Sequence, residues 1–261
     1  MAISVRSVTA RDNPLLVRLR KITSDPTSYR KLGEVWLGGE HLCTAIVQRG
    51  GAVPVAVIGE TAWQMPQLRA LANHAASVVI VPDALMGGLG TLDSPAPLGF
   101  VLPLNSGAVM RGNESSVVLD RLQDAGNVGT ILRSAAIFGF TQVIALKGTA
   151  ALWSPKVLRA GMGAHFGLNL IEGATEDCLS ALSLPMLATS SHADRSIHDT
   201  ALPWPCAWVM GHEGQGVSPA LLQRCALSLR IPQPGGEESL NVAAAAAVCF
   251  YESARQRLTV R

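Results

Sequence analysis

Short apolar runs of strand length and longer stretches with helical spacing take turns along the whole chain. In the first hundred residues, 34–37, 53–58, 78–81 and 98–102 read as strands, with helical patterns at 41–47 and 66–73 between them. This alternation predicts a small α/β unit with its own core. Residues 105–116, NSGAVMRGNESS, are small, polar and glycine-containing, and they divide the chain into 1–106 and 107–261. Beyond them the alternation resumes. Strands are expected at 117–119, 142–146, 168–171, 185–188, 207–210 and 226–231, helices from Val128, Pro155 and Thr175, and a last helix over 240–257. The pattern predicts a mostly parallel sheet with helices on both faces and ligands at the C-terminal ends of its strands.

The second half is organised around 119–140, LDRLQDAGNVGTILRSAAIFGF. A strand end passes into a polar turn where Asp124, Gly126 and Asn127 supply turn and helix-cap chemistry. Ile131, Leu132, Ala135, Ala136 and Phe138 form the apolar stripe of the helix, and Gly139 closes it in a left-handed cap. Arg133 falls away from the Ile131 and Ala135 side, so its guanidinium is left for a ligand or a partner. Two more strand ends carry glycine and polar residues: 208–218, WVMGHEGQGVS, and 231–241, IPQPGGEESLN. The second ends in Ser239, a capping residue type for the last helix. That helix opens VAAAAAVCFY, apolar on nearly every side, which calls for burial against the sheet, another subunit, or both.

Composition narrows the setting. Hydrophobic residues make up 48% of the chain, yet no run of about eighteen uncharged apolar residues occurs, and the N-terminus lacks the succession of a secretory signal. A cytoplasmic protein without a membrane partner is expected. Cys43, Cys178, Cys206, Cys225 and Cys249 are scattered, with no CxxC pair and no histidine at zinc-finger spacing, so they read as reduced core residues and no metal is expected. The net charge of +2 is uneven, since residues 1–50 hold eight Lys or Arg against four Asp or Glu. Arg18, Arg20, Lys21, Arg30 and Lys31 bracket a loop-like SDPTS segment, an arrangement suited to nucleic-acid phosphates, although taken alone a short charge run of this kind favours a solvated face.

Several chemistries have no anchor here. The chain contains no GxGxxG after a strand, no GxxxxGK[ST], no HExxH and no GxSxG. Ser190, Ser191, His192 and Asp194 crowd together in sequence, but triad partners are brought together by folding, so a polar loop is the simpler reading.

DAGNVGTILRSAAIFGF, WVMGHEGQGVS and IPQPGGEESLNVAAAAA resemble, in order and spacing, the three motifs of the SpoU/TrmH family of SPOUT methyltransferases. SPKVLRAGMGAHFGLNL at 154–170 is similar to that family as well, so the resemblance covers 110–261. The first half, through KLGEVWLGGEHL and PAPLGFVLPL, resembles the smaller ribosomal-protein-like α/β/α substrate-binding domain that many members carry. Two departures stand out. Asp124-Ala125-Gly126-Asn127 replaces the usual Asp-Pro-Gly-Asn, which frees φ at position 125 but keeps Gly126 and Asn127. Gly38-Gly39-Glu40 stands where a hydrophobic-Glu-Gly is common, which touches RNA choice and not the chemistry.

The resemblance implies an α/β protein: an RNA-binding domain over 1–106, then a methyltransferase domain over 107–261 with a deep trefoil knot. It implies S-adenosylmethionine as cofactor, methylation of a ribose 2′-hydroxyl in structured RNA, 23S rRNA ahead of tRNA, and a homodimer. Arg133 matches the arginine that acts on the 2′-hydroxyl, as base or through the adjacent phosphate. An arginine holds its proton too firmly to be a ready base, so electrostatic stabilisation and phosphate positioning are favoured. Asn127, Glu213, Ser239 and Asn241 match positions that shape the catalytic site. Leu187, Thr189, Met210, Gly211, Gly214, Ile231, Pro232, Leu240 and Asn241 are the expected cofactor contacts, with backbone groups meeting adenine and ribose. Arg18, Arg20, Lys21, Arg30 and Lys31 are the expected RNA contacts.

Singly, Asn127 and Ser239 are also helix caps, Asn241 a first-turn polar residue, Glu213 a turn residue and Arg133 an exposed helix arginine. Their joint occurrence within three ordered motifs favours the catalytic reading. Two rivals from other classes are a non-catalytic RNA-binding or assembly factor that kept the fold, and a small-molecule enzyme on a doubly wound sheet. Intact motif residues weigh against the first, and a basic, separately folded first half against the second.

Overall fold

The structure is a computed structural model that describes residues 3–90, 96–105, 107–235 and 239–259. It divides into two compact units, Met1–Gly107 with Trp153–Phe166, and Ala108–Leu152 with Gly167–Arg261.

The first unit contains β1 (Ser4–Ser7), α1 (Pro14–Ser24), α2 (Ser28–Leu32), β2 (Glu34–Gly38), α3 (Glu40–Gln48), β3 (Val53–Gly59), α4 (Glu60–Trp63), α5 (Pro66–Ala72), β4 (Ala75–Val81), α6 (Asp83–Gly87) and β5 (Leu98–Pro103). Its sheet runs β1-β4-β3-β5-β2, with β1, β4 and β3 parallel and β5 antiparallel to both of its neighbours. Alternate residues of each strand feed two separate cores, as the two-residue period of a strand requires. Leu37, Ala56, Ile58, Val78 and Phe100 pack with α3 and α5 on one face. Trp36, Val57, Val79 and Val101 pack with Leu16, Leu19 and Ile22 of α1 on the other. β5 therefore lies inside the sheet and does not form its edge.

The second unit contains β6 (Ser116–Leu119), α7 (Ala125–Ile137), β7 (Gln142–Leu146), β8 (Asn169–Ala174), β9 (Met186–Thr189), β10 (Arg195–Ser196), β11 (Ala207–Met210), α9 (Pro219–Arg224), β12 (Leu227–Arg230) and α10 (Val242–Thr259). Between β7 and β8 the chain forms α8 (Pro155–Gly161), which groups with the first unit. All seven strands are parallel, in the order β10-β12-β9-β11-β6-β7-β8. Val118, Ile144, Met186 and Val209 belong to the core of one face. On the strands they alternate with residues such as Trp208, whose indole N–H donates to Ser253 Oγ of α10 at 2.9 Å. Parallel pairing with both faces covered explains why every residue of β6, β7 and β11 is buried.

Several local readings need correction. α7 starts at Ala125, because Asp124 is its cap: its carboxylate accepts the Asn127 N–H at 2.7 Å. Asn127 thus lies inside the first turn, and Ala125 sits at the first helical position, where the proline common in the family also fits. α10 is capped by Asn241, whose Oδ1 accepts the Ala243 and Ala244 N–H groups, and not by Ser239. The expected helix at Thr175 is a 3-10 segment, Glu176–Ala181. Cys178 is exposed there, while Cys43, Cys206 and Cys249 are buried. Gly139 does close α7 with φ +86.

Candidate active site

The strand order sets the C-terminal ends of β12, β9 and β11 side by side, and each strand leaves by a loop. Those loops and the first turn of α10 enclose a cleft of about 690 Å³. Small-molecule sites occupy roughly 300–1,000 Å³. Of the expected cofactor contacts, Thr189, Gly211, Gly214, Ile231, Leu240 and Asn241 line the cleft. Leu187 and Met210 are buried strand residues outside the lining, and Pro232 is also outside it. Ser190, His192, His212 and Gln215 line the cleft without having been expected. The position of 190–192 directly after a strand was the one signal that would have found the first two.

The loop after β11 shows why glycine is needed. A Cβ on Gly211 would lie 2.1 Å from the Val217 backbone nitrogen, so only glycine permits the loop to close on itself. His212 and Gly216 exchange backbone hydrogen bonds of 3.0 and 2.8 Å, and His212 Nδ1 accepts the Gly214 N–H at 3.0 Å. The result is a tight ribbon that brings main-chain groups to the wall of the cleft. The lining sets these main-chain groups beside Thr189, Ile231 and Leu240, a surface that fits an adenosine-type ligand held by backbone groups.

Glu213 leaves this ribbon and reaches the start of α7. Its carboxylate accepts the backbone N–H groups of Gln123 at 3.2 Å and Asp124 at 3.1 Å, and the Asn127 side-chain amide at 3.2 Å. Burial works against the charge, but the hydrogen bonds outweigh it and hold the Glu213 pKa below the ordinary carboxylate value. Asn127 Oδ1 in turn accepts Asn241 Nδ2 at 3.1 Å. Three segments far apart in sequence are therefore tied at one point.

Ser239 lines the cleft beside Asn241. Arg133 is exposed on α7, outside the lining. It stands about 9 Å of helix rise beyond Asn127. In the first unit, Arg18, Arg20 and Lys21 lie on α1, and Arg30 and Lys31 on α2. Arg18 is gripped by Glu34 through bonds of 2.9 and 3.3 Å, Arg20 donates to the Arg11 carbonyl, and the Arg30 guanidinium lies 5.5 Å from the Tyr29 ring centroid. Lys21 and Lys31 are exposed. Among the described residues no group of three or more His, Cys, Asp or Glu is placed to hold a metal ion, and no helix is long and apolar enough to cross a membrane.

The model of the SpoU rRNA Methylase family matches residues 114–251, which include all three tied segments. The chain belongs to the SpoU rRNA methylase family. Its likeness to relatives extends beyond the family domain in some cases. This SpoU protein is 30% identical over 267 residues to an uncharacterized tRNA/rRNA methyltransferase of Synechocystis, covering 97% of this chain and 95% of that one. It is 36% identical over 155 residues to the 23S rRNA (guanosine-2′-O-)-methyltransferase of Bordetella pertussis, covering 57% of this chain and 62% of that enzyme. The second match thus spans less than two thirds of the relative. Among solved structures, an RNA 2′-O ribose methyltransferase matches with a TM-score of 0.79 at 27% identity, over 97% of this chain and 100% of that one. The AdoMet-bound rRNA methyltransferase from Sinorhizobium meliloti matches with a TM-score of 0.82 at 25% identity, over 97% and 98% of the two chains.

Proposed function

We propose that this SpoU family member is an S-adenosylmethionine-dependent methyltransferase acting on a ribose 2′-hydroxyl of structured RNA, ribosomal RNA ahead of transfer RNA. The observation that carries the reading is the junction of Glu213, Asn127 and Asn241 beside a glycine-walled cleft. An isolated cap or turn residue has no reason to meet the other two.

S-adenosylmethionine, when bound, supplies a methyl group made electrophilic by its sulfonium sulfur. Thr189, Gly211, Gly214, Ile231, Leu240 and Asn241 would hold it, with main-chain groups reading adenine and ribose. Glu213 fixes the turn before α7 by accepting two backbone N–H groups, which sets Asn127 against Asn241 and shapes the wall next to Ser239. Arg133 is assigned to the substrate: a guanidinium that stabilises negative charge developing on the ribose oxygen and grips the neighbouring phosphate.

The reading extends to a deep trefoil knot in the second unit, a homodimer, a cytoplasmic setting and an RNA-binding role for the first unit, of the ribosomal-protein-like type. The dimer is supported by exposed apolar residues on α7 and α10. Ile137 is 67% exposed, and Val248, Tyr251 and Leu258 are exposed on α10. Val248 and Tyr251 are three residues apart, one above the other on a helical face. RNA binding is supported by exposed Lys21, Arg30 and Lys31 around the α1–α2 turn.

Calorimetric titration with S-adenosylhomocysteine tests the reading. Binding with a matching rise in melting temperature is expected. No binding at millimolar concentration contradicts it.

A further inference from the structure

We propose that Asp120 and Arg121 form a positioning device that fastens the loop 211–217 of the cleft, a role that rests on the reading of the cleft as the methyl-donor site. Asp120 follows β6 and its side chain is 1% exposed. Its backbone N–H donates to the Met210 carbonyl at 2.8 Å, where the loop begins. Its Oδ2 accepts the Ser218 N–H at 2.8 Å, where the loop ends. Arg121 completes the clasp: Nε donates to Asp120 Oδ1 at 2.8 Å, Nη2 to Oδ2 at 3.2 Å, and Nη1 to Gln215 Oε1 at 3.2 Å in the middle of the loop. One guanidinium thus holds a buried carboxylate with two donors and the loop with a third, a division of labour that its planar fork permits and an ammonium does not.

The backbone at this point argues that the side chain is there for a purpose. Arg121 has φ +59, a left-handed conformation that favours glycine. Its neighbours impose that turn. The Leu119 carbonyl accepts Thr149 Oγ1 at 3.0 Å, the Leu122 carbonyl accepts the Ala150 N–H at 2.7 Å, and the Leu122 side chain is fully buried. A glycine would satisfy the backbone alone, so what arginine adds is its contact with Asp120 and Gln215. The fastened loop carries His212, Glu213 and Gln215 along the cleft, and through Glu213 it sets the start of α7. Backbone strain held in place by surrounding structure is typical of positions that organise a site.

Two variants separate positioning from plain stability. Arg121→Lys keeps a positive charge beside Asp120 but loses the fork that reaches Gln215 at the same time. Arg121→Gly suits the backbone and removes the clasp. Amide hydrogen exchange over 211–217 in the ligand-free protein reads the loop itself, and titration with S-adenosylhomocysteine reads its effect on the cleft. In both variants loop exchange should quicken by about tenfold or more. The dissociation constant should rise about threefold to tenfold in Arg121→Lys and further in Arg121→Gly, with the Lys variant melting close to the parent. Unchanged loop exchange overturns the proposal. So does quickened exchange with affinity within about twofold of the parent. If Arg121→Gly fails to fold because Asp120 loses its counter-charge, Arg121→Lys decides alone. If the parent itself does not bind S-adenosylhomocysteine, the cofactor reading fails and the positioning role with it. Binding by the parent with equal binding by the Lys variant removes the positioning role only.

Discussion

Asn127 and Asn241, 114 residues apart in the chain, share a side-chain hydrogen bond of 3.1 Å. Asn241 uses its other side-chain atom to cap α10, and Asn127 uses its own to reach Glu213. Asn127 thus joins the start of α7 to the ribbon after β11, and Asn241 joins the start of α10 to the start of α7. A double-mutant cycle of Asn127→Ala and Asn241→Ala should give a coupling free energy of about 0.5–1.5 kcal/mol in unfolding experiments. Strict additivity would mean that the two contribute only as separate helix-start residues.

Glu213→Ala removes the shared acceptor of Gln123, Asp124 and Asn127. Methyl transfer should fall by at least about tenfold, because the misplacement of a site by a fraction of an ångström to an ångström is costly. Glu213→Gln keeps an oxygen for one backbone N–H and should lie between the two. Single-turnover assays at saturating cofactor check the order. Equal rates for the parent and Glu213→Ala would reduce this residue to a surface turn.

The pH dependence follows from the same carboxylate. Bonded as it is, Glu213 titrates below the ordinary value of 4.5 when folded. A folded pKa lower than the unfolded one means stability that is complete above the unfolded value and lost as pH falls through the folded one. Glu252, held low by Arg255, behaves in the same sense. Melting temperature should therefore drop as pH falls below about 4.5, and Glu213→Gln should make that drop shallower. Melting curves at a series of pH values give the answer, and an identical acid profile for parent and variant would contradict it.

Much of this was legible in the residues, and the misreadings share a cause. The stripe of α7 is unambiguous since Ile131, Leu132 and Ala135 recur at helical spacing, and all three are fully buried. The end of that helix was legible because Gly139 alone at that point tolerates φ +86. Its start was not, because Asp124 and Asn127 are both capping types three residues apart, and only the folded geometry shows which side chain turns back. Ser239 and Asn241 pose the same ambiguity at α10. The cleft was partly legible: glycine marks Gly211 and Gly214, whereas Ser190, His192 and Gln215 depend on which strands become neighbours. Arg18 looked like its basic neighbours until Glu34 was found across from it.

The first unit supplies a further test. Neutralising Lys21, Arg30 and Lys31 together should weaken RNA binding and flatten its salt dependence, the logarithmic slope falling by roughly 0.7–0.9 for each phosphate no longer neutralised. Arg18→Gln should matter less, since Glu34 already holds that guanidinium. Cofactor affinity should be unchanged in both. Salt-dependent binding of rRNA fragments measures the effect, and an unaltered slope would leave these residues as a solvated face.

Arg133 separates substrate chemistry from architecture. Arg133→Ala should keep the fold and cofactor binding, because the residue is exposed on α7 and outside the cleft lining. Methyl transfer should nevertheless fall by roughly a hundredfold to a thousandfold, with poor rescue by Arg133→Lys. Activity within about tenfold of the parent, a difference of about 1.4 kcal/mol, would remove its catalytic assignment.

The most direct test of the whole account is transfer of a labelled methyl group from S-adenosylmethionine to ribosomal RNA, followed by alkaline hydrolysis. A methylated 2′-oxygen cannot attack its neighbouring phosphate, so the account predicts that the label survives in an alkali-resistant dinucleotide. Label released entirely in mononucleotides would place the methyl group on a base and contradict the account, as would protein that binds the cofactor yet labels neither ribosomal nor transfer RNA.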